Sequence, residues 1–294
     1  MARQEPAAET VERALAVVQT FGGSWTQRKL DAIRAYLDAY TTALKNRAFR
    51  LTYVDAFAGE GQWQPRAEYG EFHEVRDGSA RRALEIRDKE FDRLVFVEQD
   101  TERCERLESL RAEYSTRSID IRNEDANQAI PFICRDLARN DRLVVFLDPF
   151  AASVDWATVE ALAKTKKADC WILFPLIAVS RMMPTGNEPA APLQAKLDQV
   201  FGGREYWDSA YQQSPQPNLW GEQATVRLRG ADIIANLYRT RLQNAFAGMA
   251  STRGVLRNSK GSPLFELFFA VSNPAAAPIA IPIAEHLLRK MAEE

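Results

Sequence analysis

Apolar residues recur along the chain in two rhythms whose alternation predicts its architecture. Helical spacing at Val11, Leu15, Val18 and Phe21, closed by Gly22-Gly23, predicts a first helix. Ser24 reads as the N-cap of a second, with Leu30, Ile33, Tyr36, Leu37, Tyr40 and Leu44 along one face. Its expected role is packing on the sheet edge, with Trp25 and Lys29 near its start placed to reach a site. Five strand-like runs follow, at 51–55, 94–98, 117–122, 142–148 and 169–176, and the first four each lead to a helical pattern, at 80–87, 101–114, 126–139 and 156–164. The run at 142–148 is nearly all apolar, as parallel strands covered on both faces should be. Strand alternating with helix predicts an α/β fold with a doubly wound, mostly parallel sheet.

The rhythm breaks after residue 176. Residues 177–221 are rich in proline, tryptophan and glutamine, with a short helical pattern at 192–201, and read as an insertion or cap over the sheet edge. A long helix is expected over 223–247, then two strands at 252–257 and 264–272 flanking the hairpin loop 258–263, then a closing helix at 283–291. The domain reading is therefore a helical extension at 1–48, a main domain at 49–176 and 222–294, and the insertion at 177–221. The long polar segment 62–78, beside a glycine turn, reads as a lid or an inserted loop.

Composition narrows the class. The chain has 294 residues, 46% of them hydrophobic, enough to bury a large core, and a formal net charge of -2. That charge excludes a protein that coats nucleic acid through bulk positive charge, although a local basic patch remains open at Lys164, Lys166, Lys167, Arg181, Arg227, Arg229, Arg253, Arg257 and Lys260. Solvated surface is the preferred reading of the lysine run, whereas Arg181, directly after the fifth strand, is expected near the cleft. No apolar run is long enough to cross a bilayer and the N-terminus lacks a signal-peptide core, so a cytoplasmic protein without membrane association is expected. Cys104, Cys134 and Cys170 are far apart without ligand spacing, and no metal site is expected. His73 and His286 are too isolated to propose as a base.

The chemistry gathers at the strand ends. Asp55, Glu98, Asp125 and Asp148 each fall at one, and in doubly wound sheets ligands bind beyond the carboxyl ends of the strands. In the stretch 51–61 a strand runs into Asp55-Ala-Phe-Ala-Gly-Glu-Gly61, where Gly59 and Gly61 permit positive φ and close approach of a bound molecule. A buried Asp55 needs hydrogen bonds to offset its desolvation. Each residue has a bland alternative: a ligand-free turn for the glycines, a solvated position before a helix for Glu98, an N-cap for Asp125, and a plain strand end for Asp148-Pro149.

Five parallel strands followed by a hairpin is the seven-stranded, Rossmann-like architecture of class I methyltransferases that use S-adenosylmethionine. The acids suit a cofactor that carries a sulfonium and an ammonium. Glu98 would accept from both ribose hydroxyls, Asp125 from the adenine amine, and Asp55, Phe57 and the Gly59 and Gly61 backbone would meet the amino-acid end. The same acids would repel a pyrophosphate. With the hairpin and the missing third glycine, that ranks a nicotinamide-dependent oxidoreductase last.

Val54-Asp-Ala-Phe-Ala-Gly-Glu-Gly61, Gly78-Ser79 with Ala83-Leu84, Phe96-Val-Glu98, Phe146-Leu-Asp-Pro-Phe150 and Phe201-Gly202 followed by Trp207 occur in an order that resembles the three-Cys-motif partner protein family, TcmP. The resemblance spans roughly residues 24 to 272. It implies a class I methyltransferase-like domain acting beside a protein with a three-cysteine motif. Enzymes that methylate amine or amide nitrogens generally end the fourth strand in Asp/Asn-Pro-Pro-Tyr/Phe. Asp148-Pro149-Phe150 has a single proline, similar to the Asp-Pro-Phe of the tRNA guanine N2-methyltransferases. By that likeness Asp148 and the following backbone would accept from the substrate amine and Phe150 would stack on a base. The expected activity is N-methylation of a base in RNA or DNA, and the alternative is a non-catalytic cofactor-binding subunit of the three-cysteine protein.

Overall fold

The computed structural model describes residues 24–63, 76–149, 151–213, 225–228, 230–258 and 260–293. The helix expected over Val11 to Phe21 lies outside them, as do Phe150, Arg229 and most of the 62–78 segment with His73.

The described chain begins with α1 (Ser24–Leu44), whose Leu30, Ile33, Tyr36, Leu37 and Tyr40 are buried as their spacing predicts. There follow β1 (Arg50–Asp55), a two-stranded ribbon of β2 (Gln62–Trp63) and β3 (Arg76–Asp77), and α2 (Ser79–Leu84). The expected alternation then runs through β4 (Arg93–Glu98), α3 (Thr101–Glu113), β5 (Ile119–Asn123), α4 (Ala126–Arg135), β6 (Asp141–Leu147), α5 (Trp156–Lys164) and β7 (Ala168–Phe174).

Several boundaries differ from the sequence reading, three of them with consequences for the fold. The fifth strand stops at Phe174, because Pro175 has no N–H for the ladder, and the chain turns straight into α6 (Leu176–Met182). After α7 (Ala191–Phe201), the segment expected to open a long helix instead pairs as β9 (Thr225–Arg227) with β8 (Tyr211–Gln213). Gly230, at φ +115°, is outside helical space, so α8 is confined to Ala231–Ala245. After β10 (Gly248–Met249), β11 (Gly254–Arg257) and β12 (Pro263–Val271), the last helix, α9 (Ala277–Glu293), starts earlier than expected and carries Pro282 inside it.

Eight strands form the central sheet, in the order β5-β4-β1-β6-β7-β12, with β10 and β11 both on the outer edge of β12. The first five are parallel and β12 runs antiparallel to β7. The sequence predicts seven. The eighth arises because the outermost, seventh position is split: β10 pairs with Ala270 and Val271, and β11 pairs with 263–267 after a break in the ladder.

Alternate residues of each central strand feed two separate cores. Val54, Val95 and Val145 pack with α4, α5 and α8, while Tyr53, Phe96 and Phe146 pack with α1, α2, α3 and α9. The sheet is the middle of three layers. Because β4 lies on one side of β1 and β6 on the other, the crossovers reverse direction beside β1, which opens a crevice over the carboxyl ends of these strands.

Candidate functional site

The turn after β1 is threaded between its two neighbours. The Ala56 amide donates to the Phe146 carbonyl and the Ala58 amide to the Val97 carbonyl, each at 3.0 Å. Gly59 then takes φ +60°, and its amide donates to Glu98 Oε2 at 2.9 Å. A Cβ built on Gly59 meets nothing within 4 Å, so the backbone there faces open space.

That space is a cleft of about 1080 Å³ over the strand ends, lined by Phe57, Gly59, Glu98, Asp125, Asp148 and Pro149 among others. Of the residues expected to hold a cofactor or act on a substrate, these six are brought together. Phe150 lies outside the described residues, and Ala151 just after it has φ +55°, a strained value for a residue with a side chain.

The other two expected residues are placed differently. Asp55 is fully buried beneath the turn rather than in its wall. Its Oδ1 accepts from the Phe57 amide at 3.4 Å and its Oδ2 from the Tyr53 hydroxyl at 3.3 Å. Burial pushes its carboxyl up to about 6, and the nearby Asp148 charge adds to the rise, while the Ser79 hydroxyl, the Phe57 amide and the Tyr53 hydroxyl act against it. Asp55 therefore shapes the turn. Gly61, at φ +74°, is not among the residues lining the cleft, and a Cβ there would come within 2.9 Å of Leu110 Cδ2.

Glu98 closes β4 with both oxygens engaged, Oε2 by Gly59 and Oε1 by the Asp100 amide at 3.0 Å. A carboxylate has about four acceptor positions, so each oxygen keeps one beyond these bonds, that on Oε2 facing the Arg103 guanidinium at 4.0 Å. Asp125 is the N-cap of α4, its Oδ1 accepting from the Asn127 amide at 2.6 Å, and it also lines the cleft. The capping alternative is thus real, and it leaves Oδ2 for a ligand donor.

Across the cleft, Lys29 of α1 forms an ion pair with Asp148 Oδ2. Lys29 is only 4% exposed, against 26% for Asp148, and its Nζ lies 5.5 Å from the Phe146 ring centre and 5.7 Å from that of Trp25. Trp25 packs at 5.4 Å on Phe265 of β12, and both line this half. The cleft is therefore bipartite, with acids around Gly59 and aromatic rings around the Lys29–Asp148 pair. Trp25 and Lys29 had a sequence signal in their place at the start of α1; Phe265 had none, being one apolar position among many in β12.

Most of the basic candidates are spent on their own chain. Lys167 donates to the Leu137 and Ala138 carbonyls, Arg227 to Ser180, Arg257 to the Gly261 carbonyl and Lys164 to Glu160, and Arg253 pairs with Glu266. Arg181, expected near the cleft, is exposed on α6 and is not part of its lining.

The parallel strands, the reversal beside β1 and the closing antiparallel hairpin define the Rossmann-like fold of class I methyltransferases. No protein-family model matches the chain, and no curated protein matches it significantly. Among solved structures it is similar to protein LPL1258 of Legionella pneumophila, with 10% identity over 89% of this chain and 92% of that one and a TM-score of 0.52. An S-adenosylmethionine-dependent methyltransferase from Clostridium acetobutylicum matches at 8% identity over 90% and 97%, with a TM-score of 0.38. The N-terminal domain of EvdMO1 with SAH bound matches at 13% over 92% and 98%, with a TM-score of 0.35. The first likeness establishes a shared fold and no more, and the two weaker ones add nothing to it. Among the described residues no helix is long and apolar enough to cross a membrane.

Proposed function

We propose that this chain is an S-adenosylmethionine-dependent methyltransferase acting on a nitrogen of a nucleic-acid base. The observation that carries the reading is that Asp148, at the end of β6, opens into the same cleft as Glu98, Asp125 and the bare Gly59 backbone. The donor set fits the cofactor: Glu98 keeps an acceptor position on each oxygen for two ribose hydroxyls, Asp125 keeps Oδ2 for the adenine amine, and the space at Gly59 admits the amino-acid end. When bound, held by Glu98, Asp125 and the Gly59 backbone, the cofactor would supply an electrophilic methyl group on a sulfonium, the S–C bond breaking to leave a neutral thioether as the nitrogen takes the methyl and its proton goes to water.

The chain's own residues supply position. Lys29 fixes Asp148 through Oδ2 and leaves Oδ1 to accept an N–H of the substrate, which orients the nitrogen lone pair. Such positioning is much of what a group transfer requires. The rings of Trp25 and Phe265 would offer a flat base a surface to stack on, a contact worth about 1–3 kcal/mol per base. The second reading, a non-catalytic subunit bound to a three-cysteine-motif protein, is favoured by one observation: most of the basic groups that would hold a phosphate backbone are bonded internally.

Calorimetry with S-adenosylmethionine tests the cofactor half. Loss of the two ribose bonds in Glu98→Ala, each about 1.5 kcal/mol or more, predicts binding weaker by roughly 100-fold; equal binding would remove Glu98 from the site. Transfer of labelled methyl to total tRNA and to DNA tests the reaction, with Asp148→Ala expected to abolish it. Cofactor binding without label in any nucleic acid would refute the substrate and favour the subunit reading.

A further inference from the structure

A second cavity lies at the opposite end of the sheet, below the amino ends of β6 and β7, with a volume of about 350 Å³. Ligand pockets generally span about 300–1,000 Å³. Its walls are largely apolar: Tyr40 and Leu44 from the last turns of α1, Phe49 before β1, and Ile279 and Ile283 from the start of α9. Ile279 is 61% exposed, one of two large hydrophobic residues left open to solvent among the described residues.

One charged group within this lining is buried, Asp169, which is 5% exposed. Its Oδ2 accepts from the Tyr36 hydroxyl at 2.7 Å, and among the described residues no cation pairs with it. Asp141, at the start of the neighbouring strand, shows the contrast, being held by two bonds from Arg50 at 2.7 Å each. Burial pushes the Asp169 carboxyl up to about 7. The cations on the rim are turned elsewhere. Arg142 lies over the Phe49 ring at 4.0 Å and donates to the Arg139 and Asp141 carbonyls, Lys167 donates to the Leu137 and Ala138 carbonyls, and Arg47 is exposed. A buried carboxylate without a counter-ion lowers stability, and a cavity that keeps one has the charge to receive a cation.

We propose that this cavity binds a small apolar molecule bearing one ammonium group, with the ammonium on Asp169 and the hydrocarbon among Tyr40, Phe49, Ile279 and Ile283. The tyrosine rings add a favourable face for the cation. The site is separate from the cleft over the strand ends, and its occupancy does not depend on methyl transfer.

The test is calorimetry on the full chain at pH 8 with 2-phenylethylamine, and with 3-phenylpropionate as an anion of similar shape. The amine should bind with a Kd below about 1 mM, the anion at least tenfold more weakly, and Asp169→Asn, which keeps an acceptor for Tyr36, should weaken the amine at least tenfold. Ile279→Lys changes an exposed residue, leaves the core intact and places a positive charge at the mouth; it should weaken the amine likewise. Tighter binding of the anion, equal binding of the amine by wild type and both variants, or no binding of either probe would overturn the proposal.

Discussion

Asp55→Asn should make the protein more stable, and more so at high pH. Asp55 is fully buried, its carboxyl lies near 6 against an ordinary value of 3.8, and only neutral groups bond to it. A raised value means that the folded chain holds this proton more tightly than the unfolded chain does. The stability associated with the proton is therefore complete below about 3.8 and is lost as pH rises through about 6. The gap of roughly two pH units, at about 1.4 kcal/mol each, makes the charge cost roughly 3 kcal/mol above that range. Asparagine keeps one oxygen, for the Phe57 amide, and its NH₂ group, in place of Oδ2, can donate to the Tyr53 and Ser79 hydroxyls, which turn to accept. Urea unfolding followed by tryptophan fluorescence should show the variant more stable by roughly 3 kcal/mol at pH 8 and by about 1 kcal/mol at pH 4.5. A gain of the same size at both pH values, or a loss at both, would refute the reasoning, because neither has the signature of a buried charge.

Two further outcomes are expected. Gly202→Ala should cost roughly 2–5 kcal/mol in the same unfolding assay, from about 1–2 for a side chain at φ +85° and about 1–3 for overpacking against Trp156 Cγ at 2.7 Å and Arg241 Nη2 at 2.9 Å; an unchanged midpoint would show that this stack yields freely. Burial raises the thiols of Cys104 and Cys170 and pushes Cys134 up to about 12, so iodoacetamide at pH 7.5 should leave the native protein nearly unlabelled and alkylate all three cysteines in urea. Rapid labelling of the native chain would contradict the burial.

The sheet was legible because its central strands are sealed on both faces, so Leu143 to Leu147 and Leu94 to Val97 read as unbroken apolar runs. Strand ends were legible for a related reason: an acid such as Glu98 or Asp148 after such a run has nowhere to be but the rim. Boundaries were lost where pairing overrode local pattern. Thr225 to Arg227 fits an amphipathic helix, yet it lies as a strand beside Tyr211 to Gln213, with the Arg227 amide donating to the Thr185 carbonyl, and only these partners reveal that. The pairing of Lys29 with Asp148 and the placement of Phe265 over the cleft were hidden because they join residues far apart in the chain. Asp169 looked like an ordinary strand start, and its isolation shows only when the cations around it are seen facing away.

Helix α1 borders both cavities: its first two turns bring Trp25 and Lys29 to the cleft, and its last turns bring Tyr40 and Leu44 to the basal cavity. At 21 residues it is about 30 Å long, and its buried face clamps it to the sheet between these ends. It is a beam resting on two supports, so a load at the lower end has a stiff path to the upper one. An indole stands at the far end of that beam, so Trp25 is placed where a shift of the helix would change its surroundings.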